Sequence, residues 1–191
     1  MKKRSFLVRS FCGLIFTLSL FCHVLPSVAV PAKPLKLSPQ QTEMAGLLAT
    51  YYRQKGWSEH VVAGIVANIY FECSLDPSQV NTNGASGLAQ WLGVRKKNFV
   101  KKYGVLPHQA PWKDQADFIQ QALTDPTSPY KFVGKELLHS QNAAQATLYF
   151  ARDYEVPGRN RKEATIVAQN RAKMASQFQV LLKKLGAHPK K

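Results

Sequence analysis

The sequence has few cysteines, and loss of its first segment would leave only one. Cys12 and Cys22 lie within the first 29 residues, and Cys73 is the last of the three cysteines in the 191-residue chain. If that first segment is removed, no internal disulfide can form, so a hydrophobic core must hold the folded chain together. The histidines include no pair with the spacing of metal ligands, and neither a metal site nor a cofactor is predicted.

The N-terminal segment lacks an apolar run long enough to cross a membrane. Its run from Phe11 to Leu25 is shorter than the roughly 20 residues that a spanning helix needs. Basic residues at 2–4 precede the run and the small residues Ser27-Val28-Ala29 follow it, which is the pattern of a secretory signal peptide. We predict cleavage after Ala29 and a secreted or periplasmic product, with an uncleaved N-terminal anchor as the alternative.

Acidic residues are scarce relative to basic ones. The chain has 26 lysines and arginines against 11 aspartates and glutamates, which gives a formal net charge of +15. Four of the basic residues leave with the signal peptide, and the remaining chain stays strongly cationic. A cationic exported protein favours anionic cell-envelope polymers, whereas export argues against nucleic acid as a partner. We predict a monomer without a stable membrane span, whose basic stretches Arg95-Lys96-Lys97 and Lys101-Lys102 form a solvated face.

The rest of the chain is predicted to be one helical domain. Residues 30–37 form a Pro-rich lead-in, residues 38–186 the domain, and residues 187–191 a basic tail. Hydrophobic periodicity and capping residues predict six or seven helices, so the fold class is all-α. A loop-rich insertion from Ser74 to Ser86 interrupts the helices, and any β structure is expected to be a short hairpin there. Such an irregular insertion is the natural edge of a cleft.

Capping residues and apolar spacing set the bounds of the predicted helices. A capping box of Ser38 and Gln41 begins the first helix, and the second runs from Ser58 to Glu72. Another is expected from Ala143 to Arg152, after which the motif at 154–158 breaks the pattern. The last is predicted to be one helix from Asn160 to Gly186, with this apolar stripe: Val167, Met174, Phe178, Leu181 and Leu185.

Glu72 is the first candidate for a functional residue. It follows Ile65 by seven residues, about two helical turns, so its carboxyl lies on the apolar face at the C-terminal end of the second helix. Desolvation and the negative end of the helix dipole would both raise the pKa of this carboxyl. A carboxylic acid that is protonated near neutral pH can protonate a glycosidic oxygen. The alternative is a helix-end residue that reaches solvent or pairs with one of the many basic residues.

The motifs around Glu72 resemble those of the phage-tail lysozyme family, a branch of the lysozyme-like superfamily that also holds lytic transglycosylases. The matching residues are Glu72, Pro77, Asn81, Gly87-Leu88-Ala89-Gln90-Trp91, Arg95, Tyr154-Glu155-Val156-Pro157-Gly158, Arg171 and Ala172. They span roughly residues 40–180, most of the domain. One departure lies beside the candidate acid, where Cys73-Ser74 stands in place of the usual Ser-Gly. Cysteine is a weaker hydrogen-bond partner than serine, so an inactive cell-wall-binding protein remains an alternative.

The resemblance implies a lysozyme-like catalytic domain at 38–186 that acts on the glycan strands of peptidoglycan. The bond cut would be the β-1,4 link after N-acetylmuramic acid, with Glu72 as the proton donor. Hydrolysis by a lysozyme and 1,6-anhydro formation by a lytic transglycosylase both remain open. Hydrolysis needs a second carboxylate, for which the candidates are Asp76, Asp153 and Glu155.

Five further residues are predicted to bind substrate. Gln90 could hydrogen-bond an N-acetyl group, Trp91 could stack on a sugar ring, and Asn81 could read the sugar. Tyr154 and Glu155 are included because both belong to the matching motif at residues 154–158. The alternatives are a glutamine that satisfies loop backbone, a core tryptophan, an ordinary turn asparagine and a glutamate that anchors its loop through an arginine.

A Cys-His cell-wall peptidase is the rival enzyme class. Cys73 would be the nucleophile, with His60, His108 or His139 as its base. Such a cysteine needs a helix N-terminus or a nearby cation to form a thiolate. Cys73 is predicted at a helix C-terminus, which raises the thiol pKa and disfavours this class.

Overall fold

The computed structural model describes residues 35–157 and 160–186, and the predicted signal peptide and basic tail lie outside these residues. The described residues form eight α-helices, a 3₁₀ turn at Pro107–Gln109 and a π-helix at Phe150–Glu155. The α-helices are α1 (Pro39–Gln54), α2 (Glu59–Cys73), α3 (Gly93–Tyr103), α4 (Trp112–Thr124), α5 (Lys131–His139), α6 (Ala143–Tyr149), α7 (Arg161–Ala172) and α8 (Ala175–Gly186). None of them is both long and apolar enough to span a membrane. The predicted all-α class is confirmed.

Helix α2 forms the centre of the core. Its residues from Val61 to Ile69 are all buried, because α1, α6 and α8 pack around it. The sequence predicted an amphipathic helix with one apolar stripe, but the small residues Ala63, Gly64 and Ala67 allow neighbouring helices to cover the other faces as well. The first turn of α2, with exposed Glu59, and the last turn, with half-buried Tyr70, reach the surface. The helix therefore carries its C-terminal residues from the core to the surface.

The contact between α2 and α6 is close because Gly64 lies at the crossing. A Cβ added at Gly64 would approach the Cβ of Ala146 and the backbone nitrogen of Thr147 to 2.8 Å. One turn later, the side-chain amide of Asn68 donates to the carbonyl of Gly64 at 2.9 Å and to that of Thr147 at 3.0 Å. This close approach fixes α6 against α2, and the π-helix that continues α6 is fixed with it.

The insertion between α2 and α3 lies where the sequence predicted it. Ser74 and Leu75 adopt the left-handed backbone conformation and turn the chain away from α2. The predicted hairpin is reduced to two isolated antiparallel bridges in the described chain, Val80 with Ser86 and Ser86 with Trp91. Its backbone is instead closed by turns, which include an Asn81 N–H that donates to the carbonyl of Ala85 at 2.8 Å.

Two predictions about the C-terminal third are corrected. The single long helix after Asn160 is divided into α7 and α8, and the helix after Ala143 continues as a π-helix through Glu155. The predicted stripe of large apolar residues does not describe the buried face of α7. That face consists of Ala164, Ala168 and Arg171, since short side chains let α7 lie close to α6.

Replacing Gly64 by alanine is expected to destabilise the protein by about 1–3 kcal/mol, because the added methyl group would overlap α6. The matched control is Gly46→Ala in α1, where the added methyl would lie 3.8 Å from Leu185 Cδ1, an ordinary contact. The control is expected to be neutral or to stabilise by up to about 1 kcal/mol. Urea unfolding of both variants measures the difference, and equal effects would contradict the close crossing.

Candidate active site

Glu72 lies in the last turn of α2, at the point where the chain enters the insertion. Its side chain is 16% exposed, so the carboxyl is largely but not fully withdrawn from water. The following Ser74 ends the helix in the left-handed conformation, and its N–H donates to the carbonyl of Tyr70 at 2.8 Å. The predicted position, a largely desolvated acid at a helix C-terminus, is what the structure has.

The carboxyl of Glu72 is ion-paired, not alone as the desolvation argument had assumed. Nη1 of Arg171 lies 2.6 Å from Glu72 Oε1, and only 9% of the arginine side chain is exposed. Arg171 reaches this point because it continues the buried alanine face of α7 by one turn. Pairing with one of the many basic residues is the alternative that the sequence left open for Glu72, and the fold supplies its partner from a distant helix.

Arg171 is itself held by α2. The same Nη1 lies 3.2 Å from Oδ1 of Asn68, which is fully buried one turn before Glu72. Because the Asn68 amide nitrogen donates to two backbone carbonyls, its oxygen is left to accept from the arginine. The guanidinium also lies over the ring of Phe71, 5.5 Å from its centroid. These contacts hold the guanidinium of Arg171 against the last two turns of α2.

Glu155, the last residue of the π-helix, is the second carboxyl near this point. Its Oε1 is buried without a hydrogen-bond partner among the described residues, although part of the side chain is exposed. Burial raises the pKa of the Glu155 carboxyl well above its ordinary value, and the charge of Glu72 raises that pKa further. Arg95 and Arg171 act in the opposite direction. We call these four residues, Glu72, Glu155, Arg95 and Arg171, the carboxylate–arginine cluster.

Arg95 of α3 connects the cluster to an aromatic support. Its guanidinium carbon lies 4.3 Å from the ring centroid of Tyr154 and 5.2 Å from that of Tyr130, and its Nη1 donates to the carbonyl of Tyr154 at 3.0 Å. The Trp91 indole N–H lies 3.4 Å from the Tyr154 hydroxyl oxygen. The sequence grouped Arg95 with a solvated basic face, but its guanidinium lies over the rings of Tyr154 and Tyr130, which also contact each other. The motif residues at 91, 95 and 154 thus form one packed unit beside Glu155.

A comparison with protein-family models covers these same elements. The model of the phage tail lysozyme family matches residues 43–182, a range that includes every member of the cluster. The chain belongs to the phage tail lysozyme family. No curated protein and no solved structure matches it. Membership confirms the family that the motifs indicated, and it implies a lysozyme-like enzyme that acts on peptidoglycan.

Two aromatic residues of the phage tail lysozyme motifs belong to the core. Trp91 is fully buried and stacks on Phe99, with ring centroids 5.2 Å apart, and Phe118 packs edge-on against it. Tyr154 is 1% exposed. Both rings are thus packed against other side chains, the core position that the sequence left open as the alternative for Trp91. Sugar stacking by Trp91 and substrate binding by Tyr154 stay predictions.

The two polar loop residues differ in exposure. The amide nitrogen of Gln90 donates to the carbonyls of Gly87 at 2.9 Å and Gln79 at 3.3 Å, so this side chain satisfies loop backbone, the alternative that the sequence left open. Its Oε1 is buried without a partner in the described chain. Asn81 is exposed at the turn of the insertion and stays available to a ligand.

Of the three candidates for a second carboxylate, only Glu155 belongs to the cluster. Asp76 accepts from the backbone and hydroxyl of Ser78, which is an ordinary Asx turn. Asp153 is buried against two arginines, one of them Arg161 at 3.2 Å. Glu155 is therefore the carboxyl that interacts electrostatically with the acid at the end of α2.

The rival peptidase class is contradicted by the position of Cys73. Its thiol is fully buried and donates to the carbonyl of Ile69 at 3.3 Å, so it faces the core and not Glu72. Burial raises the pKa of this thiol to about 12, which excludes a thiolate near neutral pH. His60 lies with Nε2 2.7 Å from the carbonyl oxygen of Ser140.

Two surface grooves lie away from Glu72. The larger, of about 340 Å³, is lined by residues of α4 and α5, and Glu72 lines neither. The smaller, of about 200 Å³, is bordered by Arg95, Tyr130 and Tyr154, so it touches the aromatic support of the cluster. Neither groove therefore marks a glycan site at Glu72.

The pH dependence of stability tests the burial of Glu155. Because burial raises its pKa above the ordinary value of 4.5, the folded chain holds this proton to a higher pH than the unfolded chain. The free energy of unfolding therefore falls as the pH rises between the two pKa values. Glu155→Gln removes this contribution, so the variant should become more stable than the parent as the pH rises from about 4 to 8.

Urea unfolding at several pH values measures this difference. Glu43→Gln, at an exposed position of α1, is the control for loss of one carboxyl, and its difference from the parent should stay flat over the same range. A flat profile for Glu155→Gln would contradict the desolvation of Glu155.

Proposed function

We propose that the protein is an exported enzyme that cleaves the glycan strands of peptidoglycan, with Glu72 as the general acid. The observation that carries the proposal is the placement of Glu72, at the end of the buried central helix, beside Glu155 and at the edge of the insertion. A general acid must be shielded enough to keep its proton but open enough to reach the glycosidic oxygen. The Glu72 side chain is 16% exposed at a helix end, so it is largely shielded but still open at the surface.

The ion pair is compatible with this role. Arg171 contacts Oε1 of Glu72, and no described residue hydrogen-bonds Oε2. One carboxyl oxygen is thus held by protein while the other is left for the glycan. Protonation at that second oxygen, with transfer to the leaving oxygen of the β-1,4 link after N-acetylmuramic acid, is the proposed first step.

Glu155 supports hydrolysis over transglycosylation. Hydrolysis by inversion needs a second carboxylate that accepts a proton from the attacking water. Burial raises the pKa of Glu155, which makes its carboxylate a stronger proton acceptor, while Arg95 and Arg171 oppose that rise. A lytic transglycosylase needs only Glu72, because the muramic 6-hydroxyl attacks and can return its proton to the same carboxylate. We therefore propose hydrolysis with Glu155 as the base.

The basic surface fits an envelope substrate. Helix α3 contains no acidic residue, and Lys97, Lys101 and Lys102 are exposed on it. Together with the predicted signal peptide, this charge supports a secreted or periplasmic enzyme that accumulates at anionic wall polymers.

Replacing Glu72 by glutamine tests the proposal. The variant keeps the shape of the side chain but lacks the acidic proton of a carboxyl group. Release of muropeptides from purified sacculi should therefore fall about 10²–10⁴-fold. The matched control is Glu59→Gln at the start of the same helix, which also removes one ion-paired carboxyl, that of the pair with Arg53. The control should keep its activity. Full activity of Glu72→Gln would remove this residue from the mechanism, and a parent that binds sacculi without cleaving them would establish the inactive alternative.

The products distinguish the two reaction types. Mass spectrometry of the soluble muropeptides should show reducing ends, because water is the proposed nucleophile. If 1,6-anhydro ends predominate instead, the enzyme is a lytic transglycosylase and Glu155 is not its base. Glu155→Gln should then cleave at nearly the parent rate, whereas under hydrolysis it should lose most activity.

A further inference from the structure

Arg171 is a buried cation whose contacts all converge on the last two turns of α2. It contacts Glu72 at 2.6 Å and Asn68 at 3.2 Å through the same nitrogen, and its guanidinium covers Phe71. Helix α2 has two acids, Glu59 at its start and Glu72 at its end. Arg171 pairs directly with Glu72, the carboxyl that the proposed chemistry uses. The same arginine is also held by Asn68, a neutral residue whose own orientation is fixed.

We propose that Arg171, anchored on Asn68, is a positioning residue that immobilises Oε1 of Glu72 and directs Oε2 to the glycosidic oxygen. This inference rests on the proposed function, since it assigns a role within the same site. Glutamate has three rotatable side-chain bonds, and Glu72 sits one residue before the buried thiol of Cys73, which bonds away from it to Ile69. No other described hydrogen bond orients the Glu72 carboxyl, so Arg171 is the group that does so.

The proposal explains why the polar residue Asn68 is buried in the otherwise apolar stretch of α2 from Val61 to Ile69. Its amide nitrogen is saturated by the carbonyls of Gly64 and Thr147, and this leaves its oxygen directed at Arg171. Asn68 and Glu72 are four residues apart and face the same side of α2. A guanidinium nitrogen held by Asn68 is thereby placed beside Glu72 at a fixed height on the helix.

Loss of Arg171 should lower kcat more than it changes KM, because misplacing a proton donor affects the transition state and not substrate affinity. We expect Arg171→Met to reduce kcat about 10²-fold and Arg171→Lys, which keeps one charged nitrogen but loses the planar fork, to retain about a tenth of the activity. The matched control is Arg53→Met, which removes an arginine paired with Glu59 at 2.7 Å away from the site and should leave kcat unchanged.

The pH profile of activity separates positioning from mere support of the fold. The charged and titratable groups that act on Glu155 are Glu72 of α2, Arg95 of α3, Arg171 of α7 and the hydroxyls of Tyr52 and Tyr154. Arg171 lowers the pKa of the Glu155 carboxyl, so loss of this cation raises that pKa. The acidic limb of the profile, which reports ionisation of the proposed base, should therefore move to higher pH in Arg171→Met, whereas a variant that is only less stable keeps the parent profile.

The outcomes are distinguishable from those of the proposed function. If Glu72→Gln is inactive while folded Arg171→Met keeps the parent kcat and pH profile, the positioning role is overturned and the general acid stands. If Glu72→Gln is fully active, the general acid itself is overturned, and the positioning role falls with it. Should Arg171→Met not fold, Arg171→Lys decides: a parent kcat and an unmoved profile would overturn the inference.

Discussion

The ion pair between Glu72 and Arg171 is the interaction on which the site depends. It joins the end of the central helix to a helix that follows about a hundred residues later, and both side chains are largely withdrawn from water. Burying two charges carries a large desolvation penalty, which close contact and further hydrogen bonds offset only in part. Such a pair is weak evidence for added stability. Its value here lies in specificity, because it fixes the carboxyl that we propose as the general acid.

The rest of the cluster is built to keep a second carboxyl close to the first. Like charges at short range resist joint ionisation, and burial of Glu155 adds to this resistance. Arg95 counters it from the other side, and its guanidinium lies over the rings of both Tyr130 and Tyr154. Arg95 and Arg171, on different helices, thus oppose the rise in pKa that burial imposes on Glu155. The buried aromatic residues of the family motifs pack against this arrangement.

The sequence predicted the helices well where caps and breaks are local. The capping box of Ser38 and Gln41 and the insertion after Ser74 were found from single residues and their spacing. Glu72 was found because an acid on an apolar face conflicts with its surroundings. Arg171 was found as a motif residue, but its burial and its pairing with Glu72 were not predicted, because its helix was interpreted from large apolar residues, whereas the buried face is formed by alanines. The helical spacing of Arg171 from Ala164 and Ala168 was the signal that could have predicted this burial.

Burial of the motif residues could not be predicted because it depends on contacts distant in sequence. Trp91 lies against Phe99 and Phe118, and its placement in the core becomes visible only when α3 and α4 are packed.

The same reasoning applies to Cys73, which stands where the family usually has serine. If the side chain of Cys73 faced Glu72, replacing serine by cysteine would have weakened a hydrogen bond that orients the Glu72 carboxyl. The thiol instead bonds back to Ile69 inside the core, and the orientation of Glu72 comes from Arg171, on another helix. The acid is therefore insulated from the substitution beside it, and the departure carries no argument for an inactive protein.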